Sequence, residues 1–249
     1  MRAVLALAVA FALQPMRAPA PASPEVSAKP PAPSVDWRVP ARYAGKTVNG
    51  PPRGFDRRSI ALTFDDGPDP RTTPQVLDEL KKRNMKATFF VLGWRVEKYP
   101  ALVKRMLDEG HVVANHTYMH PARPPHDRAL QEIDRTSQLI KKACGKYPTI
   151  FRPPYGIRES WTAQVAKGRG MPSVLWNVSS ADTATKDTAK IYKNCTAGIR
   201  PGAIILLHDI QPHSVSALPR VLDELDRQKW NCVGLVRLLR EYDEFASRN

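Results

Sequence analysis

A parallel α/β fold, a distorted (β/α) barrel of about seven strands, is what this sequence predicts for residues 55–249. Two observations predict it. From Ser59 onward, short apolar runs alternate about seven times with stretches of helical periodicity, a rhythm that implies parallel strands joined by crossover helices. Ionisable residues also stand directly after several of those apolar runs, as they do where strand C-termini share one rim. Seven units suit a barrel better than a small open sheet, and no internal repeat is visible.

The elements follow in order. Ile60-Ala61-Leu62-Thr63-Phe64 reads as a buried strand. Thr72, Thr73 and Pro74 open a helix carried by Val76, Leu77 and Leu80, with Thr72 and Gln75 spaced for a capping box and Pro suited to a first turn. Ala87–Leu92 is the next strand, and Leu102, Val103 and Met106 mark a helix from Pro100 to Gly110. His111–Ala114 is a short strand, and Leu130, Ile133, Ser137 and Ile140 mark one face of a longer helix. Strands at Thr149–Phe151, Ser173–Val178, Ala203–Leu207 and Cys232–Leu235 follow. Between and after them lie helices at Ser160–Ala166, Lys190–Cys195, Leu218–Leu225 and Val236–Phe245.

The first third of the chain reads differently. Met1-Arg2 precedes Ala3–Leu13, a run without a polar residue, and Ala18–Ser23 offers Ala-x-Ala patterns. This is the layout of a secretory signal peptide, too short to span a bilayer, with cleavage expected after Ala22. Residues 23–54 are rich in Pro and Ala and read as a semi-stiff linker, with Val35–Tyr43 able to lie against the domain. The expected location is therefore secreted, periplasmic or at the cell wall. The formal net charge of +14 suits either an anionic envelope polymer or a dispersed basic surface. No stretch has the base-stacking motif or basic-helix layout of a nucleic-acid reader. Cys144, Cys195 and Cys232 allow at most one internal disulfide and lack metal-ligand spacing.

The polar residues at the strand ends carry the chemistry. Asp65 and Asp66 follow the first strand, His116 the third, Arg152 and Tyr155 the strand at Ile150, Asp182 the strand ending at Val178, and His208 and Asp209 the strand ending at Leu207. Each has a bland alternative. Asp-Asp-Gly-Pro is also a turn sequence, and His208 also reads as a satisfied core histidine. Together they describe more. His116 and His120, four apart, would share a face on a helical turn and reach one metal ion. Two imidazoles and a carboxylate form a common set for a divalent catalytic metal. The neighbouring carboxylate is free to act as a base, Arg152 and Asp182 form a charged pair that could orient it, and His208 could serve as a general acid. That set fits metal-assisted hydrolysis of an acyl bond.

From about Ser59 to Phe245 the chain resembles the polysaccharide deacetylase family, the NodB-homology members of carbohydrate esterase family 4. The motifs are Thr63-Phe64-Asp65-Asp66-Gly67-Pro68, His116-Thr117-Tyr118-Met119-His120, Arg152-Pro153-Pro154-Tyr155-Gly156 and Leu206-Leu207-His208-Asp209. The resemblance implies that Asp66, His116 and His120 hold Zn2+ or another divalent transition metal. Asp65 would be the base that activates the attacking water, with Arg152 bracing it and Asp182 behind. The backbone N–H of Tyr155 would stabilise the oxyanion, His208 would protonate the departing amine, and Pro153, Tyr155 and Leu206 would contact substrate. The fourth motif departs: Thr183 follows Asp182 where the family usually has Trp, which bears on substrate preference.

The resemblance implies a secreted hydrolase that removes N-acetyl groups from amino-sugar polymers, peptidoglycan (N-acetylglucosamine or N-acetylmuramic acid) or chitin-like oligomers. A glycan polymer is then the expected partner, with no nucleic acid, no stable membrane insertion after cleavage of the leader, and a monomeric chain. O-acetyl xylan esterase activity and a non-catalytic role in binding cell-wall glycan are the alternatives. A cytosolic hydrolase of a small cyclic amide is disfavoured by the export signal.

Overall fold

A computed structural model describes residues 36–248. The signal peptide at 1–22 and most of the linker lie outside the described residues. Residues 36–54, expected to finish the linker with Val35–Tyr43 able to lie against the domain, are tied to it along their length. Trp37 and Val48 are buried, Thr149 Oγ1 donates to Trp37 O at 2.5 Å, and β1 (Thr47–Val48) pairs in parallel with β5 (Ser173–Val174). The Pro- and Ala-rich composition of the stretch hid the few large side chains that anchor it.

The central strand is β2 (Ser59–Asp65), buried at every position. It pairs in parallel with β3 (Ala87–Val91) on one edge and β7 (Ile204–His208) on the other. The path continues from β3 to β4 (Val112–Asn115), and from β7 to β6 (Val178–Ser179). Single parallel bridges join Asn115 to Phe151 and Phe151 to Ser173. The stretch 173–179 therefore meets Phe151 at its start and β7 at its end, and it joins the two ends of the path. The single strand expected over Ser173–Val178 divides because its pairing changes sides: Leu175 N–H donates to Val48 O at 2.7 Å, and Asn177 N–H to Ile204 O at 3.2 Å. At the base, β8 (Asn231–Cys232) pairs with Ser59 and Ile60 of β2. This wedge beside β3 distorts the ring. The last strand stops at Cys232 because Leu235 already begins α8 (Leu235–Ala246).

The pleat sorts the side chains. Ile60, Leu62 and Phe64 enter a cluster with Leu77 and Leu80 of α1 (Thr73–Lys82), Val103 and Met106 of α3 (Pro100–Asp108), and Leu218 and Leu222 of α7 (Pro212–Arg227). Ala61, Phe90, Ala114 and Ile204 point the other way and pack with Val236, Leu239 and Tyr242 of α8, which closes the base. A third cluster joins Ile133 of α4 (His126–Cys144) to Ala166 of α5 (Trp161–Gly168). Alternation then places Thr63 and Asp65, and Leu206 and His208, on the inner face above that base.

The expected capping box at Thr72 does not form. Thr72 makes no side-chain cap bond; Asp69 N–H donates to Thr73 Oγ1 at 2.8 Å, and Gln75 Nε2 donates to Arg71 O at 2.7 Å. One helix escaped the sequence reading, α2 (Gly93–Lys98). Its six residues are too few to show periodicity, and Gly93 opens it because a Cβ there would lie 2.4 Å from Thr136 Oγ1. The helix α6 (Thr188–Thr196) is capped by Asp187. All three cysteines are free and buried, and burial pushes each thiol up to about 12. Among the described residues no helix is long and apolar enough to cross a membrane.

Candidate active site

Asp65 ends β2 inside the ring and is 3% exposed. Its Oδ1 accepts from Arg152 Nη1 at 2.6 Å. Arg152 is wholly buried. It also donates to Thr63 Oγ1 at 2.9 Å, Val174 O at 2.9 Å and Leu175 O at 3.1 Å, and lies 4.0 Å over the Phe90 ring. So many fixed partners hold the guanidinium rigid, as a buried ion pair requires. Burial raises the Asp65 carboxyl above its ordinary range, against the charges of Arg152 and His208.

Asp66 takes a left-handed conformation, φ 72°, and both carboxylates face His116 Nε2, Asp65 through Oδ2 at 3.6 Å. Asp66 Oδ1 lies 3.5 Å from His116 Nε2 and 3.6 Å from His120 Nε2. His116 Nδ1 donates to Arg152 O at 2.7 Å. The proton therefore sits on Nδ1, and the Nε2 lone pair faces Asp66. Burial holds the His116 imidazole down to about 3, against the charge of Asp66.

The helical turn expected for His116 and His120 is absent. Thr117 and His120 have φ of 71° and 60°, so the two rings converge from a loop, 4.8 Å apart. Thr117 N–H donates to Asn115 Oδ1, and Tyr118 and Met119 N–H both donate to Glu132 Oε2 at 2.7 Å. These side chains, not helix geometry, set the spacing.

Asp66, His116 and His120 each offer one ligand atom, all within 4.8 Å of one another. Asp66 Oδ1 is buried and has no hydrogen-bond partner. Two ligand atoms of a tetrahedral zinc ion, each roughly 2.1 Å from it, would sit about 3.4 Å apart, close to the 3.5 and 3.6 Å observed. An orphaned carboxylate oxygen beside two imidazole nitrogens at this spacing fits a divalent ion.

Across the mouth, His208 ends β7 with Nε2 4.0 Å from Asp66 Oδ2. Asp182 was expected behind Arg152 as its charged partner. The structure gives it to His208 instead. Asp182 Oδ1 is 2.8 Å from His208 Nδ1, and Oδ2 accepts from His208 N–H at 2.8 Å and from Ser214 Oγ. The strand ends converge, and a carboxylate pairs with the nearest cation in space, which sequence order does not reveal. Burial works against a charged His208, but the Asp182 hydrogen bond and the nearby carboxylates outweigh it and raise the imidazole to about 9.

Tyr155 is 67% exposed, with φ 56° inside a 3₁₀ turn at Pro154–Gly156. Its ring lies 4.5 Å from that of His120. Among the described residues its N–H meets no acceptor. Pro153 is buried beside it. Leu206 is buried yet joins none of the three apolar clusters.

A Polysaccharide deacetylase family profile matches residues 53–174. The peptidoglycan-N-acetylglucosamine deacetylase PgdA of Listeria monocytogenes (serotype 1/2a, strain 10403S) is 39% identical over 207 residues, covering 82% of this chain and 44% of that protein. The chitooligosaccharide deacetylase of Bradyrhizobium sp. (strain ANU 289) is 44% identical over 161 residues, covering 62% of this chain and 72% of that protein. The chain belongs to the polysaccharide deacetylase family. The solved structure of peptidoglycan deacetylase PdaC from Bacillus subtilis superposes with a TM-score of 0.72 at 37% identity, covering 78% of this chain and 95% of that one. This deacetylase-family chain spans less than half the length of the Listeria relative.

The departure at the fourth motif is also visible: Thr183 is exposed and adds no aromatic wall beside Asp182. Trp176 packs instead against Gly156, where a Cβ would lie 3.0 Å from the indole. Two supporting residues of this family member escaped the sequence reading. Ser214 holds Asp182 from α7, which no local pattern signals. Asp209, named only as part of its motif, is wholly buried, accepts from Thr73 Oγ1, and underlies Gly67, where a Cβ would lie 2.2 Å from its Oδ2. Its position directly after His208 was the available signal, since the next residue of a strand faces the opposite side.

Proposed function

We propose that this protein removes N-acetyl groups from amino-sugar polymers of the peptidoglycan or chitin-like class by zinc-assisted hydrolysis. The observation that carries the proposal is Asp66 Oδ1, buried and unpartnered beside two imidazole nitrogens, with the Arg152-braced Asp65 on one side and the Asp182-held His208 on the other. The substrates for which the Listeria and Bradyrhizobium relatives are named support the substrate class.

Asp66, His116 and His120 hold the ion. When bound, a divalent ion polarises the acetamide carbonyl and makes water a competent nucleophile near neutral pH. Asp65 Oδ2 takes the proton of the attacking water while Oδ1 stays on Arg152. Its raised affinity for protons suits a general base. Tyr155 N–H donates to the oxygen that gains charge. His208 Nε2 gives a proton to the departing amine nitrogen, and Asp182 keeps the other ring nitrogen oriented. Leu206 and Pro153 wall the space for the acetyl methyl group. Action on a wall polymer agrees with export, for which the apolar leader Ala3–Leu13 is suited, and with residues 55–249 as the catalytic domain.

The test is acetate release from purified peptidoglycan, chitin oligomers and acetylated xylan by protein stripped of metal and then given zinc. Zinc-restored release from an amino-sugar polymer is expected. Release from xylan alone would make the protein an O-acetyl esterase. No release anywhere, with zinc bound, would leave a binding role. Asp65→Asn should keep its zinc and lose turnover by about 10²- to 10⁴-fold; normal turnover would overturn the assigned base.

A further inference from the structure

The two loops that deliver His120 and Tyr155 do not part beyond the site. Their rings touch at 4.5 Å, and farther along the same loops Arg123 Nη1 donates to Glu159 O at 3.0 Å. Arg123 lies three residues after His120, so their Cα atoms are at most about 11 Å apart. Here a groove of about 440 Å³ opens between Arg123, Pro124 and Pro125 on one loop and Glu159, Trp161 and Gln164 on the other.

Trp161 is the unusual member. It occupies the first position of α5 and is 47% exposed. The core of this chain does not use it: α5 packs inward through Ala163, Val165 and Ala166. Its indole is nonetheless held, with the His126 ring 5.0 Å away at 78°. A half-exposed aromatic ring in a concave site, flanked by a few polar groups, is the usual composition of a ligand pocket. An indole face suits the C–H face of a pyranose, and Arg123, Glu159 and Gln164 suit its hydroxyl rim.

We infer that this groove is a distal subsite, in which Trp161 stacks on a sugar ring of the glycan chain one or two units from the acetamide being cleaved. The subsite rests on the glycan deacetylase reading above. It commits to a polymer: Trp161 lines a groove whose residues include none of Asp66, His116 and His120, so the subsite acts only on a chain long enough to lie across both.

The experiment compares Trp161→Ala with the parent protein on N-acetylglucosamine oligomers of increasing length, zinc-loaded. For the long oligomers KM should rise about five- to tenfold with kcat little changed, the cost of one lost aromatic contact. For the shortest substrate both constants should stay the same. Trp161→Phe should recover most of the loss. An equal effect at every length would mark Trp161 as structural and overturn the subsite, as would no effect at any length. Calorimetric titration with the same oligomers requires no turnover. If the parent deacetylates nothing, the function proposed above fails, while the titration still judges the groove. Length-dependent binding weakened by Trp161→Ala supports the subsite, and equal binding, or none by the parent, overturns it.

Discussion

His116 and His208 stand on opposite sides of the same carboxylates, both withdrawn from solvent, and they are driven to opposite protonation. Burial penalises the imidazolium in each. At His116 the second nitrogen meets a backbone carbonyl, Arg152 O, which offers a dipole but no charge, and the group sits at about 3. At His208 it meets the carboxylate of Asp182, and the group rises to about 9. One half of the site thus keeps a lone pair ready for a metal ion and the other keeps a proton ready to give. The partner of the far nitrogen sets the role of the near one.

The largest test of that contrast removes the neutral side. His116→Ala should lose metal and activity together, since even outer supports of a metal ligand are worth about 10- to 100-fold in affinity or activity. Metal content by atomic spectroscopy, measured beside turnover, checks this. Full zinc occupancy in the variant would show that His116 is not a ligand.

Asp182→Asn sharpens the other side. The acid form of His208 is present below about 9 and is lost as pH rises through that value. Without the Asp182 charge the imidazole falls toward its ordinary value, so the alkaline fall in kcat should move to lower pH, with kcat at its optimum down roughly 10- to 100-fold. A pH–rate profile on the same zinc-loaded preparation reads the shift. An unmoved alkaline limb would detach His208 from that limb.

The smallest effect concerns a third imidazole at the far end of the barrel. His111 is buried, its Nδ1 accepts from Ala87 N–H at 3.2 Å, and its Nε2 has no partner. Burial, aided by Lys86 and Arg105, lowers it to about 3. The unfolded chain then binds more protons than the folded one between about 6.5 and 3. His111 costs stability progressively as pH falls through that window and nothing above it. His111→Gln, which keeps an acceptor, should lose less stability between pH 7 and 4 than the parent in urea titrations. Equal losses would assign the acid sensitivity elsewhere.

The contrast also shows how far the sequence could be read. Asp65, Asp66, His116 and His208 were legible because each ends or follows an apolar run, and parallel strands bring such ends together, while His120 was legible from its spacing of four from His116. Inner-face alternation above Ala61 and Ile204 places Asp65 and His208 with no further information. The helical turn at His116 was misread because the loop depends on Glu132, fourteen residues beyond Tyr118, and on left-handed backbone at non-glycine residues. Asp182 was assigned to the wrong partner because twenty-six residues separate it from His208, and only the pairing of β6 with β7 makes them neighbours. Val35–Tyr43 was read as able to lie against the domain, and Trp37 is buried there; the rest of 36–54 was read from average composition, while Val48 and its strand pairing decide where that part lies.

The stretch 173–179 closes the ring, and its Val174 and Leu175 carbonyls also hold the guanidinium that grips Asp65. Scaffold and chemistry share one piece of backbone there. For evolution or for an engineer, this makes the mouth unevenly malleable. Exposed loop positions such as Thr183 and Arg158 can change with the substrate and leave the barrel standing. An insertion between Val174 and Val178 would shift ring closure and the orientation of the candidate base at once. Diversity within such a lineage should gather in the loops and spare this seam.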